Sequence, residues 1–228
     1  MRLCIVSDIH NQIDKMFLPP ADVLIIAGDW TMNGSIKEIA KFNADLGKIK
    51  HMYRRIIAIA GNHDFLPAED PLLTKNMLTN AEYIEDESID LYGYNLYGSP
   101  WTPFCGMWAF QLYTPEMHMR AWSKIPDNTE ILITHTPPFG ILDTEPVAWL
   151  REWRHVAEAE MEDQHLGCNF LRDRIDSLYN LKLHGFGHIH GGHGQKKQNG
   201  VQFVNGAGLE RDYATVWEPI VVELEDKV

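Results

Sequence analysis

Three short apolar runs in the first third of the chain each end in a turn that carries an acid, an amide or an imidazole. "LCIV" runs into Ser7 and Asp8, "VLIIAG" into Asp29, and "RIIAIAG" into Asn62, His63 and Asp64. Each run is β-branched and lacks polar alternation, the pattern of a strand covered on both faces. Between the second and third, "SIKEIAKFNADLGKIK" sets Ile36, Ile39, Ala40, Phe42 and Leu46 at helical spacing behind Ser35, a capping residue. Strand, helix and strand in this order predict a βαβ core. In open α/β sheets the ligand site lies outside the carboxyl ends of the strands, and that is where these polar residues fall.

The middle of the chain changes character. "YIEDESIDLYGYNLYGSP" contains short Tyr-rich runs punctuated by Gly and Asn, which read as strands of a mixed or antiparallel region. A further strand, "EILITH", ends at His135, and a mostly helical span is expected from about Pro146 to Asn180. The chain then returns to strands in "LKLHGFG", in a hairpin turning at Asn199-Gly200, and in "PIVVELE".

The stretch "LHGFGHIHGGHG" packs four of the chain's 11 histidines into twelve residues. If His188-Ile189-His190 continued a strand, both rings would share one side. A metal site and a chance His-rich turn fit this stretch equally. The strand ends together decide between them. Asp8, His10, Asp29, Asn62, His135, His188 and His190 all converge on one sheet edge from five segments. A mixture of carboxylate, imidazole and amide suits borderline divalent metals such as Mn, Fe, Zn, Ni or Co. Seven donors exceed what one open catalytic ion needs, and suffice for two divalent ions sharing a carboxylate.

Composition bounds the partners. With 45% apolar residues and no Pro- or Ser-rich linker, 228 residues predict a single domain spanning 1–228. A formal net charge of −12 disfavours long nucleic acid and anionic membrane. "MRLCIVSDIH" is no secretory signal, and no apolar run is long enough to span a bilayer. Cys4, Cys105 and Cys168 are scattered and odd in number, so they are expected as reduced core residues of a cytoplasmic protein.

The ordered series "SDIH", "AGDW", "GNHD", "THTPP" and "GHIH" resembles the calcineurin-like metallophosphoesterase superfamily. "GSPWTPFCGMWAFQL", "HLGCNFL" and "FVNGAG" are similar to its small metallophosphoesterase-domain subgroup. The resemblance implies an α/β fold, a four-layer α/β/β/α sandwich of two mixed sheets. It implies that Asp8, His10 and His190 hold one ion, that Asn62, His135 and His188 hold the other, and that Asp29 bridges them. Mn is the foremost expected metal, with Mg also among the possibilities. Asn62 and His63 become catalytic, His63 protonating the leaving oxygen or steadying the transition state. The activity implied is hydrolysis of small phosphodiesters, cyclic nucleotides foremost, by a metal-bridged hydroxide. A nuclease, a phosphomonoesterase and a non-enzymatic scaffold are the competing readings.

Several residues remain outside this set. His193 and Gly191 stand where the subgroup has Tyr and Glu, making His193 a candidate phosphate contact. Trp101 is the candidate for stacking on a nucleobase. Asp64 orients a neighbour or is a solvated outer carboxylate. His184 is expected to be a buried, hydrogen-bonded ring, and His51, His118, His155 and His165 are expected at the surface. Residues Pro146 to Asp163, with Trp149, Trp153, Val156, Ala157 and Met161 on one helical face, form a packed helix, a homodimer contact or a lid.

Overall fold

The computed structural model describes residues 1–145, 164–210, 212–214 and 216–227. The predicted helix or lid over 146–163, with His155, lies outside them. The first strands are β1 (Arg2–Val6), β2 (Val23–Ala27) and β3 (Arg55–Ile59), with helix α1 (Ile36–Ile49) between the second and third. They pair in parallel, and β4 (Glu82–Tyr83) extends the sheet beyond β3. The other edge is closed by β13 (Ile220–Glu223), antiparallel to β1.

The second sheet is built from β5 (Glu87–Leu91), β6 (Tyr94–Ser99), β9 (Ile131–Thr134), β10 (Leu183–Phe186), β11 (Gly194–Gln198) and β12 (Val201–Asn205). Its spatial order is β11-β12-β10-β9-β6-β5, with a parallel centre and an antiparallel hairpin at each edge. Short strands β7 (Thr102–Pro103) and β8 (Gln111–Leu112) pair separately. The β11–β12 turn has Asn199 and Gly200 at φ of 51° and 83°, the left-handed pair that a two-residue hairpin needs.

The absence of polar alternation in β1 to β3 has a direct cause. Leu3, Ile5, Val23, Ile25, Ile57 and Ile59 face the second sheet, where they meet Leu96, Ile131, Ile133, Leu183 and Val204. Their alternate neighbours Cys4, Val6, Leu24, Ile26 and Ile56 pack under α1 with Phe42 and Leu46. On the far side of the second sheet, Tyr97, Leu132, Phe186 and Phe203 are covered by α2 (Pro115–Trp122) and α3 (Asn169–Asp176), through Trp122, Leu171 and Ile175. The result is four layers: helix, sheet, sheet, helix.

Helix α1 begins where Ser35 predicts, its hydroxyl accepting from the Glu38 amide while Glu38 reaches back to Ser35. Its buried stripe is narrower than the sequence suggests. Ile39, Phe42 and Leu46 are covered, whereas Ile36 and Ala40 are exposed. Ala40 follows Ile39 by about 100° around the axis, and Ile36 sits in the first turn, outside the covered part of the stripe. Asp45 is buried instead, held by Lys41 and Lys48 at 2.6 Å each. All three cysteines are free, but Cys105 is only half-buried, its thiol against Gln111, so it is no core residue. His51 is exposed; His118 is half-buried, stacked on Phe170.

Candidate metal centre

Five loops at the carboxyl ends of β1, β2, β3, β9 and β10 deliver the polar side chains to one place. Asp8, His10, Asp29, Asn62, His135 and His190 are buried, and His188 is partly so. Asp8, His10 and His190 each offer a ligand atom within 4.8 Å of one another. So do His10, Asp29 and His63, and so do Asp8, Asp29 and His135. The His135 and His188 rings are 5.1 Å apart, and those of His10 and His190 5.6 Å.

The backbone is bent to achieve this. Asp8, His10, Asp29 and His188 have φ of 52°, 42°, 51° and 67°, a left-handed conformation that costs of order 1–3 kcal/mol where the surroundings impose it. Such strain concentrates at working sites. For His188 it also corrects the expected alternation. Strand β10 ends at Phe186, and His190 opens a 3₁₀ turn (His190–Gly192), so the two rings are placed by a kink and not by a pleat. The glycines ahead of these side chains are needed for space. A Cβ on Gly61 would lie 2.3 Å from Asp29 Oδ1, and one on Gly187 2.1 Å from Asp8 Oδ2.

Electrostatics set the states of these side chains. His135 Nδ1 is 2.9 Å from the Ala27 carbonyl, so it carries a proton and donates it. Nε2 faces Asn62 Oδ1 at 3.0 Å and Asp29 Oδ2 at 3.3 Å. Both partners are acceptors, so in the metal-free protein Nε2 meets them with a second proton, at the place a bound cation would take. Burial opposes a charge on His135, yet Asp29 and Asp8 outweigh it and raise the pKa to about 9. Burial likewise opposes ionisation of Asp8 and Asp29, but His190 beside the first and His135 beside the second hold both below the usual carboxylate range. Burial pushes His10 down to about 4 and His188 to about 3, leaving neutral rings. Both ring nitrogens of His10 are buried without a hydrogen bond. Anionic carboxylates and neutral imidazoles are the states in which these groups bind metal.

Around the centre, some residues stand differently from expectation. Asp64 is fully buried and far from solvated: it accepts from the Thr31 amide and hydroxyl and from the Gly61 amide. It thereby stitches the Asp29 loop to the Asn62 loop, and burial next to Asp29 raises its pKa to about 7. Trp101 donates its indole N–H to Asp86 at 3.0 Å, while the indole in contact with His63 is Trp108, stacked at 4.1 Å. His193 Nδ1 faces the Ala207 carbonyl at 2.8 Å and its ring lies against Trp217. His184 is buried and bonded to Thr134 through Nε2. His165 is exposed and bonded to Asp143.

Sequence reading passed over Tyr213 and Glu145. The Tyr213 ring packs edge-on to His10 at 4.8 Å, and buried Glu145 accepts from the Gly191 amide beside His190. Neither sits in a motif. The left-handed backbone of Tyr213, φ 55°, is the structural sign of its constraint.

The family model for calcineurin-like phosphoesterases matches residues 1–192. The chain belongs to that family. This calcineurin-like phosphoesterase is 33% identical over 246 residues to metallophosphoesterase domain-containing protein 1 of Homo sapiens, covering 98% of this chain and 71% of that one. It is 31% identical over 241 residues to a UPF0046 protein of Caenorhabditis elegans, covering 98% and 81%. A solved archaeal phosphodiesterase aligns with 97% of this chain and 100% of its own at 11% identity, with a TM-score of 0.37. Among the described residues no helix is long and apolar enough to cross a membrane.

Proposed function

We propose that this phosphoesterase is a dinuclear phosphodiesterase acting on small diesters, with cyclic nucleotides the foremost class. The observation that supports metal dependence is the clustering of buried donors: Asp8, His10 and His190, and likewise Asp8, Asp29 and His135, offer ligand atoms within 4.8 Å of one another, and both ring nitrogens of His10 are buried without a hydrogen bond. Asp8, His10 and His190 would hold one ion, Asn62, His135 and His188 the other, with Asp29 between. Mn²⁺ suits this mixed donor set. When bound, two such cations lower the pKa of a shared water and neutralise phosphoryl charge. The chain supplies the acid. His63 Nδ1 faces the Met32 carbonyl at 2.8 Å, and a carbonyl only accepts, so Nδ1 keeps its proton throughout and the acid is the doubly protonated ring, which gives its Nε2 proton to the leaving oxygen. Such acid catalysis contributes roughly 10² to 10⁴-fold.

The substrate class rests on the resemblance to the metallophosphoesterase-domain subgroup, supported by a net charge of −12 that disfavours polyanions. Three free cysteines suit a reducing, cytoplasmic compartment. The test is hydrolysis of bis(p-nitrophenyl) phosphate and of 2′,3′- and 3′,5′-cyclic AMP, with Mn²⁺ and with chelator, by the native protein and His188→Ala. Metal-dependent turnover that the variant loses is the expected result. No turnover of any diester with any metal would overturn the reading.

A further inference from the structure

We propose that Trp108 is a positioning residue for His63, holding the imidazole so that Nε2 faces the leaving oxygen. This rests on the assignment of His63 as the acid. In the hydrolysis a water oxygen bonds to phosphorus and the bond from phosphorus to the leaving oxygen breaks. The Nε2 proton passes to that oxygen, and the proton released by the water restores the ring through solvent.

A histidine used this way must have its ring plane fixed as well as its tautomer. The Met32 carbonyl fixes the tautomer, holding Nδ1 at 2.8 Å. The plane is held by two rings. Trp108 covers one face, centroids 4.1 Å apart and planes at 29°, and His10 meets the ring edge-on at 4.7 Å and 80°. His10 belongs to the metal set, which leaves Trp108 as the neighbour whose contact to His63 has no other evident purpose. The segment bearing the indole is also tied to the right element: the amide of the next residue, Ala109, donates to the Asn62 carbonyl at 3.0 Å. The loop bearing Trp108 is therefore bonded to the loop bearing His63. Phe65, from the same loop as His63, lies 6.1 Å from the indole on a tilted plane. Trp108 is half-buried with its face on His63, whereas the indole N–H of Trp101 is engaged with Asp86.

The signature of positioning is a loss that depends on the leaving group. Bis(p-nitrophenyl) phosphate expels an anion that departs without a proton, whereas 2′,3′-cyclic AMP expels a ribose oxygen that needs one. Trp108→Ala should lower kcat for the cyclic nucleotide by about tenfold or more, leave KM nearly unchanged, and lower kcat for the nitrophenyl ester less than threefold or so. Trp108→Phe, which keeps a stacking face, should recover most of the lost turnover of the cyclic nucleotide. Equal losses on both substrates, or no recovery in Trp108→Phe, would overturn the proposal. His63→Ala separates the two levels. If it shows the leaving-group selectivity and Trp108→Ala does not, the positioning role fails while the acid stands; if it shows none, both fail.

Discussion

At the scale of single residues, the centre is governed by which states its side chains are forced into. His135 in the metal-free protein has a folded pKa of about 9 against an ordinary 6.5. Because the folded value is the higher one, its stabilising contribution is fully present below about pH 6.5 and is lost as pH rises through 9. Asp64, raised to about 7, completes its own loss below that pH. Chelator-treated protein should therefore lose thermal stability between pH 7 and 9, and His135→Gln should flatten that slope, as followed by melting curves. Gly187→Ala drives a methyl into Asp8 and Ser7, so it should weaken metal binding by about 10- to 100-fold in a calorimetric titration, while far-ultraviolet dichroism stays native. The gathering of these side chains was legible in the sequence because acids and imidazoles at strand ends have few other reasons to recur. Trp108, Tyr213, Asp64 and Glu145 were less so, because their importance comes from contacts between distant loops, which no spacing encodes.

At the scale of elements, local chemistry and burial pulled the same way, and that is why the strands and α1 could be read. The Asn199-Gly200 turn and the Ser35 cap each rest on a single physical preference. Ser35→Ala removes the hydroxyl that accepts from Glu38 and should cost about 1 kcal/mol in urea unfolding, with metal affinity unaffected. What periodicity could not reveal was where α1 overhangs its sheet, leaving Ile36 exposed, or that Asp45 would be buried between two lysines. Those depend on the length of the neighbouring layer. The kink at His188 was hidden for a related reason: strand propensity says nothing of a backbone bent by the groups it must deliver.

At the scale of the whole molecule, net charge sets the company the protein keeps. A −12 chain should show no measurable binding to a single-stranded oligonucleotide at about 150 mM salt by fluorescence anisotropy; tight, salt-sensitive binding would promote the nuclease reading instead. The four-layer arrangement was accessible through motif order, since five weak motifs in sequence are strong together, whereas the pairing of β13 with β1 was not. That pairing has a consequence for biogenesis. Strand β1 runs directly into Asp8, yet its outer neighbour is made from residues almost a full chain later. During synthesis the Asp8 strand waits with an open edge, a ready template for mispairing with other nascent chains. A chain stalled before Ile220 is thus an aggregation hazard, and β13 serves as a quality-control seal on the open flank of the strand that leads into Asp8.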